Sequence, residues 1–296
     1  PSAISYTIDK SVPSNAVFTD TNNAVTQTAD TTNSNFEVLF SGTADNTTRT
    51  EGAKKATTLR FNPNKGALME GSGTTASGNY SHVEGSYTSA SGDGAHAEGY
   101  SATSTRYIVA SGNGAHAEGF VASNGKNIIA SGTGSHAEGC GTSASGDYGA
   151  HAEGRNTCAS GSYGSHAEGF NTTASGDYGA HAEGYNTTAN GSSGAHSEGN
   201  GTYALGGYGS HAEGYKTTAK GTYGSHAEGG YTYAYGNGAH AEGYETTAFG
   251  NSSHAEGYYT SATGSYSHAE GNNTTAFDNS SHAEGYQTSA VGAYSH

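Results

Sequence analysis

Histidine occurs in this chain at only one place in a repeating unit, and the distance between successive histidines is nearly constant. The positions are 82, 96, 116, 136, 151, 166, 181, 196, 211, 226, 240, 254, 268, 282 and 296. The steps are 14, 20 and 20 residues, then 15 six times, then 14 to the end. In fourteen copies a glutamate follows two residues later, as in "AHAEG", Ala180 to Gly184. So short a period excludes a string of independent domains. It points to a solenoid, in which each unit buries its face by stacking on the next.

Alternation within the unit predicts its geometry. Counting from histidine as zero, the third position is always glycine, the sixth almost always threonine, the eighth alanine, and the tenth glycine except at Asp278, the later positions shifting with the insertion in the two enlarged units. The seventh and ninth vary freely. Side chains of a strand point alternately to opposite faces, so fixed small residues at six and eight predict a strand with Thr and Ala inside and solvent outside. The motif predicts a second strand, with Ser or Ala and the central Ala on one face and His and Glu on the other. Glycines at three and ten mark the bends. One unit is then one coil of two short strands around an interior of Ala, Thr and Ser. At about 4.8 Å per coil, fifteen coils make a rod of roughly 70 Å.

Composition supports order built by stacking rather than a conventional core. There are 48 glycines, no tryptophan and one methionine. Beyond residue 70 the large aliphatics are Val83, Ile108, Val109, Val121, Ile128, Ile129, Leu205 and Val291. The few buried methyls of one coil, about 0.8 kcal/mol each, cannot offset the ordering of some 14 residues at about 1 to 2 kcal/mol each. Parallel ladders between coils must supply the rest.

The net charge of -15 lies mainly in the repeats. Residues 1 to 70 carry seven acids and six bases, and the remainder nineteen acids and five bases, fourteen of those acids being motif glutamates. Such a surface repels phosphate backbones and anionic membranes, so no nucleic-acid partner is expected. No apolar run is long enough to insert in a bilayer and no signal peptide is evident. A chain opening on Pro1 and closing inside a repeat is expected to be a fragment or processed product. Cys140 and Cys158 sit four and seven residues after successive histidines, an offset of about 10 Å along a strand, and are expected to be free thiols.

The order "A-S-G-x-x-S-H-A-E-G-x-x-T" resembles the head repeat of trimeric autotransporter adhesins, A-x-G-x-x-S-V-A-I-G-x-x-A, in length and glycines, across residues 71 to 296. The resemblance implies an all-β, left-handed parallel β-roll, three chains side by side, and adhesion. His and Glu replace the family's Val and Ile in every complete copy. Residues 1 to 70 differ in texture, with short apolar alternations such as Phe36–Val38 and Leu59–Phe61 between turn formers, and with "NPNKG", Asn62 to Gly66, as a hairpin turn. The phrases "VPSNAVFTDT" and "TRTEGAKKATTLRFNPNKGAL" resemble modules that precede such repeats in tail fibres of phages infecting Gram-positive bacteria. They imply a β-rich attachment or connector region over 1–70, facing the virion, before a β-roll domain over 71–296.

Three features offer sites. The His–Glu face is expected to form a ladder, each His bonding a Glu of the next coil or a neighbouring chain, with His96/Glu98, His151/Glu153, His166/Glu168, His181/Glu183 and His211/Glu213 as interchain pairs. Pairing of this kind raises the histidine pKa, and burial of the pairs without charge is the competing reading, with the opposite dependence of stability on pH. A single H-x-E supplies too few converging ligands for a closed metal site, so neither metal nor cofactor is expected. Fourteen equivalent pairs lack the unique cleft that catalysis requires, so no catalytic residue is assigned. Tyrosines at the fourth position and near the twelfth are expected to stack in columns at the corners, with sugar binding as the other reading. The two enlarged units insert Arg106, Tyr107, Ile108, Val109 and Lys126, Asn127, Ile128, Ile129, candidate loops for a receptor or a neighbouring chain.

These observations favour a homotrimeric fibre segment of a phage tail, located in the virion. It would bind other tail proteins and a host surface glycan or protein, as spacer or receptor-binding shaft. A bacterial cell-surface adhesin head is the alternative, a polysaccharide-degrading tailspike is third, and ice binding by threonine rows is disfavoured because those threonines point inward.

Overall fold

The computed structural model describes residues 36–40 and 54–296, all inside one compact unit, Thr32–His296. Much of the expected N-terminal region, including the phrase Val12 to Thr21, lies outside the described residues. Within them, β1 (Phe36–Phe40) runs antiparallel to β2 (Lys54–Asn62), and β2 antiparallel to β3 (Ala67–Glu70). Asn62 faces Ala67 across a turn in which Gly66 takes φ +65°, the left-handed region that costs glycine nothing.

β3 is also the first rung of the solenoid. It pairs in parallel with the strand His82–Val83, Leu68 opposite His82 and Met69 opposite Val83. Counted from Leu68, Gly71, Thr74, Ala76 and Gly78 occupy the third, sixth, eighth and tenth places of the repeat. The regular stack therefore starts at Ala67, in a coil whose histidine is replaced by leucine. The histidine spacing alone hides that coil.

From there the chain is a parallel β-solenoid of about fifteen turns, without a helix among the described residues. One sheet holds the motif strands, such as His151–Arg155 and His166–Phe170, in strict register with His on His, Ala on Ala and Glu on Glu. The other holds fifteen short strands such as Cys158–Ala159 and Thr173–Ala174. Each coil bonds to its neighbour through the backbone, for instance His151 N–H to Ser165 O at 2.8 Å and Cys158 N–H to Thr172 O at 2.9 Å. Every rung thus satisfies donors that a single coil leaves open.

The interior is as thin as expected. Ala152, Ala159, Ala167, Ala174, Thr157, Thr172 and Ser165 are fully or almost fully buried, while His and Glu face outward. The larger buried side chains, Met69, Val83, Ile108, Val121 and Ile128, all lie in the N-terminal coils. Ile108 and Ile128 take the inward place held by Thr88 in the coil before them. In these enlarged coils the motif strands extend to Ser101 and Val121, and residues 102–107 and 122–127 form the insertions.

The two glycine positions answer to different constraints. At the third position the backbone has φ near +110°, and a Cβ on Gly184 would come within 2.2 Å of Gly199 O. At the tenth, φ is ordinary, yet a Cβ on Gly176 would meet Gly191 O at 1.8 Å. Stacking therefore imposes the second glycine by contact alone. The natural exception, Asp278, falls beneath the coil in which Gly292 has changed to φ +125°.

Candidate functional site

Because successive residues of a strand alternate, burying the motif alanines places each imidazole and carboxylate on the outer face of one sheet. In-register stacking then builds two columns. Consecutive imidazoles from His82 to His282 lie face to face, with ring centroids 4.7 to 4.9 Å apart and planes mostly within 20° of parallel. Beside them runs a column of glutamates.

In the single chain the pairs meet mostly within a strand rather than between successive coils. His96–Glu98, His151–Glu153, His166–Glu168, His181–Glu183 and His211–Glu213 have Nε2 to Oε2 distances of 3.7, 3.7, 3.6, 3.6 and 3.6 Å. Side chains two residues apart on one face lean together and close the separation of about 7 Å between their Cα atoms. Among the described ion pairs, His136 alone pairs with the preceding coil, its Nε2 3.8 Å from Oε1 of Glu118. All these distances exceed hydrogen-bond length, and the Nε2 atoms from His82 to His282 are buried without a hydrogen-bond partner.

The histidine pKa values run against charged pairing. Those of His96, His116, His151, His226 and His254 are lowered, first by burial and then by the stacked imidazoles, against a smaller upward pull from the glutamates. A charged imidazole would sit directly on another, so at these five positions the stack favours the neutral form. At these five positions a neutral imidazole beside a carboxylate can accept a proton or ligate a cation.

The enlarged coils change this face locally. The Glu98 and Glu118 side chains are 30% and 26% exposed, against 44% to 62% for Glu153 to Glu284. There the carboxylates of Glu84, Glu98, Glu118 and Glu138, with Gly99, Gly119 and Gly139, line a groove of 470 Å³. The 20-residue steps mark the coils in which this groove lies, but the motif copies at His96, His116 and His136 read as the regular ones do and do not show it.

The candidate loops divide. Ile108 and Ile128 are fully buried and cannot meet a receptor, because they continue the inward row of the second sheet. Val109 and Ile129 are half-buried on its outer side. Arg106, Lys126, Asn127 and Ile129 border a second groove of 510 Å³, on the Thr–Ala sheet, and the Asn127 side chain accepts a hydrogen bond from Tyr107 N–H at 3.2 Å. The aromatic residues stack in columns as expected: Tyr148, Tyr163 and Tyr178 at 5.2 and 4.9 Å, Tyr208 and Tyr223 at 5.5 Å, and Tyr244 and Tyr258 at 5.4 Å. The Lys216 ammonium lies 5.2 and 5.0 Å from the ring centres of Tyr215 and Tyr231, which themselves meet edge to face at 5.2 Å. Cys140 and Cys158 are free.

No protein-family model matches the chain, and no curated protein matches it either.

Proposed function

We propose that this chain is a rigid structural segment of a phage tail fibre, a left-handed β-roll that associates as a homotrimer and serves attachment to the host surface. Support comes from the uninterrupted in-register stack, which turns fifteen marginal coils into a rod of about 70 Å. The observation that carries the reading is the regular His–Glu face from His151 onward, whose stacked imidazoles stay about a third exposed and whose carboxylates stay about half exposed in a single chain. A facing chain would cover those ring edges and supply donors to the carboxylates. Three outward faces of this kind close a seam under threefold symmetry.

Attachment falls to the groove beside the insertions, where Arg106 and Lys126 stand together on a repeat domain that has only five basic residues. That placement suits an anionic cell-wall polymer. The histidine–glutamate pairs repeat as equivalents along the rod, which favours a structural part over an enzymatic tailspike.

Light scattering of the purified chain tests the assembly, with a mass three times the 29.7 kDa of one chain expected. A monomer at micromolar concentration overturns the trimer. Labelled protein is expected to bind Gram-positive cells and to lose that binding in the Arg106→Glu/Lys126→Glu double variant, and equal binding by the variant removes the groove from the reading.

A further inference from the structure

A single His-x-Glu offers two ligands, which is why the motif by itself argues against a metal. Stacking adds a third from the adjacent coil. Glu98, His116 and Glu118 present one ligand atom each within 4.8 Å of one another, and so do Glu118, His136 and Glu138. The two triads share Glu118, whose Oε2 lies 3.8 Å from His116 Nε2 and whose Oε1 lies 3.8 Å from His136 Nε2. Among the described ion pairs, no other motif glutamate reaches histidines of two coils.

We propose that Glu118 bridges two neighbouring sites for divalent transition metals of the zinc and cobalt class, the first completed by Glu98 and His116 and the second by His136 and Glu138. Three independent features converge there. The carboxylates line a groove together with glycines, so no side chain blocks approach to them. In-register pairing sets Glu98 on Glu118 and Glu118 on Glu138, and among the described residues their ion-pair contacts are all with histidine, so stacked negative charge has no fixed cation opposite it. The Nε2 atoms of His116 and His136 are buried and lack a hydrogen-bond partner.

Mixed nitrogen and oxygen ligands select this class of metal over calcium or magnesium, which take oxygen alone. Tetrahedral ligands at about 2.1 Å from zinc lie about 3.4 Å from each other, so the 3.8 Å pairs need to close by a few tenths of an ångström, and the third ligand of each triad, within 4.8 Å of the others, by up to about 1.4 Å. Water would take the open position. The sites are formed within one chain and stand whether or not the chain trimerises.

The test uses the full chain, stripped with chelator and titrated with Co2+, read by visible absorption and calorimetry. Glu118→Gln is expected to lose two equivalents of bound cobalt relative to the parent, or to bind them at least tenfold more weakly. Glu213→Gln, in a regular coil, is expected to lose none. The other triads, such as His254, Glu256 and His268, add equally to parent and variant and cancel in the difference. Unchanged binding by Glu118→Gln, or equal loss by Glu213→Gln, overturns the proposal, the second outcome showing general adsorption to the histidine column. If Glu118→Gln fails to fold in chelator, His136→Gln serves instead, with one equivalent lost expected and unchanged stoichiometry overturning the proposal.

Discussion

The imidazole of His226 lies parallel to that of His211, with ring centroids 4.7 Å apart and planes 1° from parallel. His240 covers its other side at 4.8 Å. Burial and these two rings lower the His226 pKa, against the carboxylates of Glu228 and Glu213. The unfolded chain, with its histidine near 6.5, therefore takes up protons before the folded one does. Stability is full above the unfolded value and is lost as pH falls below it toward the lower folded value. In chelator, the melting temperature is expected to drop between pH 8 and 5.5, and His226→Gln to flatten the slope. A melting temperature that is constant or rises on acidification contradicts neutral stacking and restores the charged ladder.

The third-position glycines make a sharper case. Gly184→Ala would place a Cβ 2.2 Å from Gly199 O at a residue with φ +114°. Backbone strain and overpacking each cost about 1 to 3 kcal/mol, so a loss of roughly 3 kcal/mol or more is expected by denaturant titration. Gly194 also has a positive φ, +62°, yet a Cβ there meets nothing within 4 Å. Gly194→Ala is expected to cost only the left-handed conformation, about 1 to 2 kcal/mol. Equal losses would mean that contact between coils does not set the glycine pattern.

Alternation and period carried most of the fold. Thr157 and Ala159 point inward and Cys158 between them does not, as their tolerance of substitution along the chain implies. What escaped was set by other forces. The Leu68 coil lacks the histidine that marks the period but keeps its register through backbone pairing with His82. The pattern left two pKa directions open because it shows which residues share a face, whereas the balance between burial, stacked rings and carboxylates depends on distances. Glu118 escaped for the same reason, its two-coil reach being a matter of side-chain conformation in an enlarged coil.

The insertions and the aromatic columns can be told apart by truncation. Ile108 is fully buried, and Ile108→Ala is expected to cost about 2 to 5 kcal/mol through the cavity left in the N-terminal coils. Tyr163 stacks between Tyr148 and Tyr178 but is 47% exposed, so Tyr163→Ala is expected to cost about 1 kcal/mol or less. A mild Ile108→Ala would show that the insertion is peripheral to the core, against its burial.

Ser197 and Thr202 test the interior most finely. Ser197 stands where most coils have the motif alanine, and its Oγ lies 2.8 Å from Thr202 Oγ1, both residues fully buried. In the flanking coils Thr187 and Thr217 face Ala182 and Ala212 and leave their hydroxyls without a partner. Ser197→Ala returns one coil to that state and is expected to cost about 1 kcal/mol, the usual net worth of a hydrogen bond. Ala182→Ser supplies Thr187 with the missing partner and is expected to gain a similar amount, within about 1 kcal/mol. Thermal denaturation of the two variants in parallel gives the signs. If Ala182→Ser destabilises as much as Ser197→Ala, the alanine column is too tightly packed to admit an oxygen. Packing, rather than unsatisfied threonine, then limits the stability of the coil.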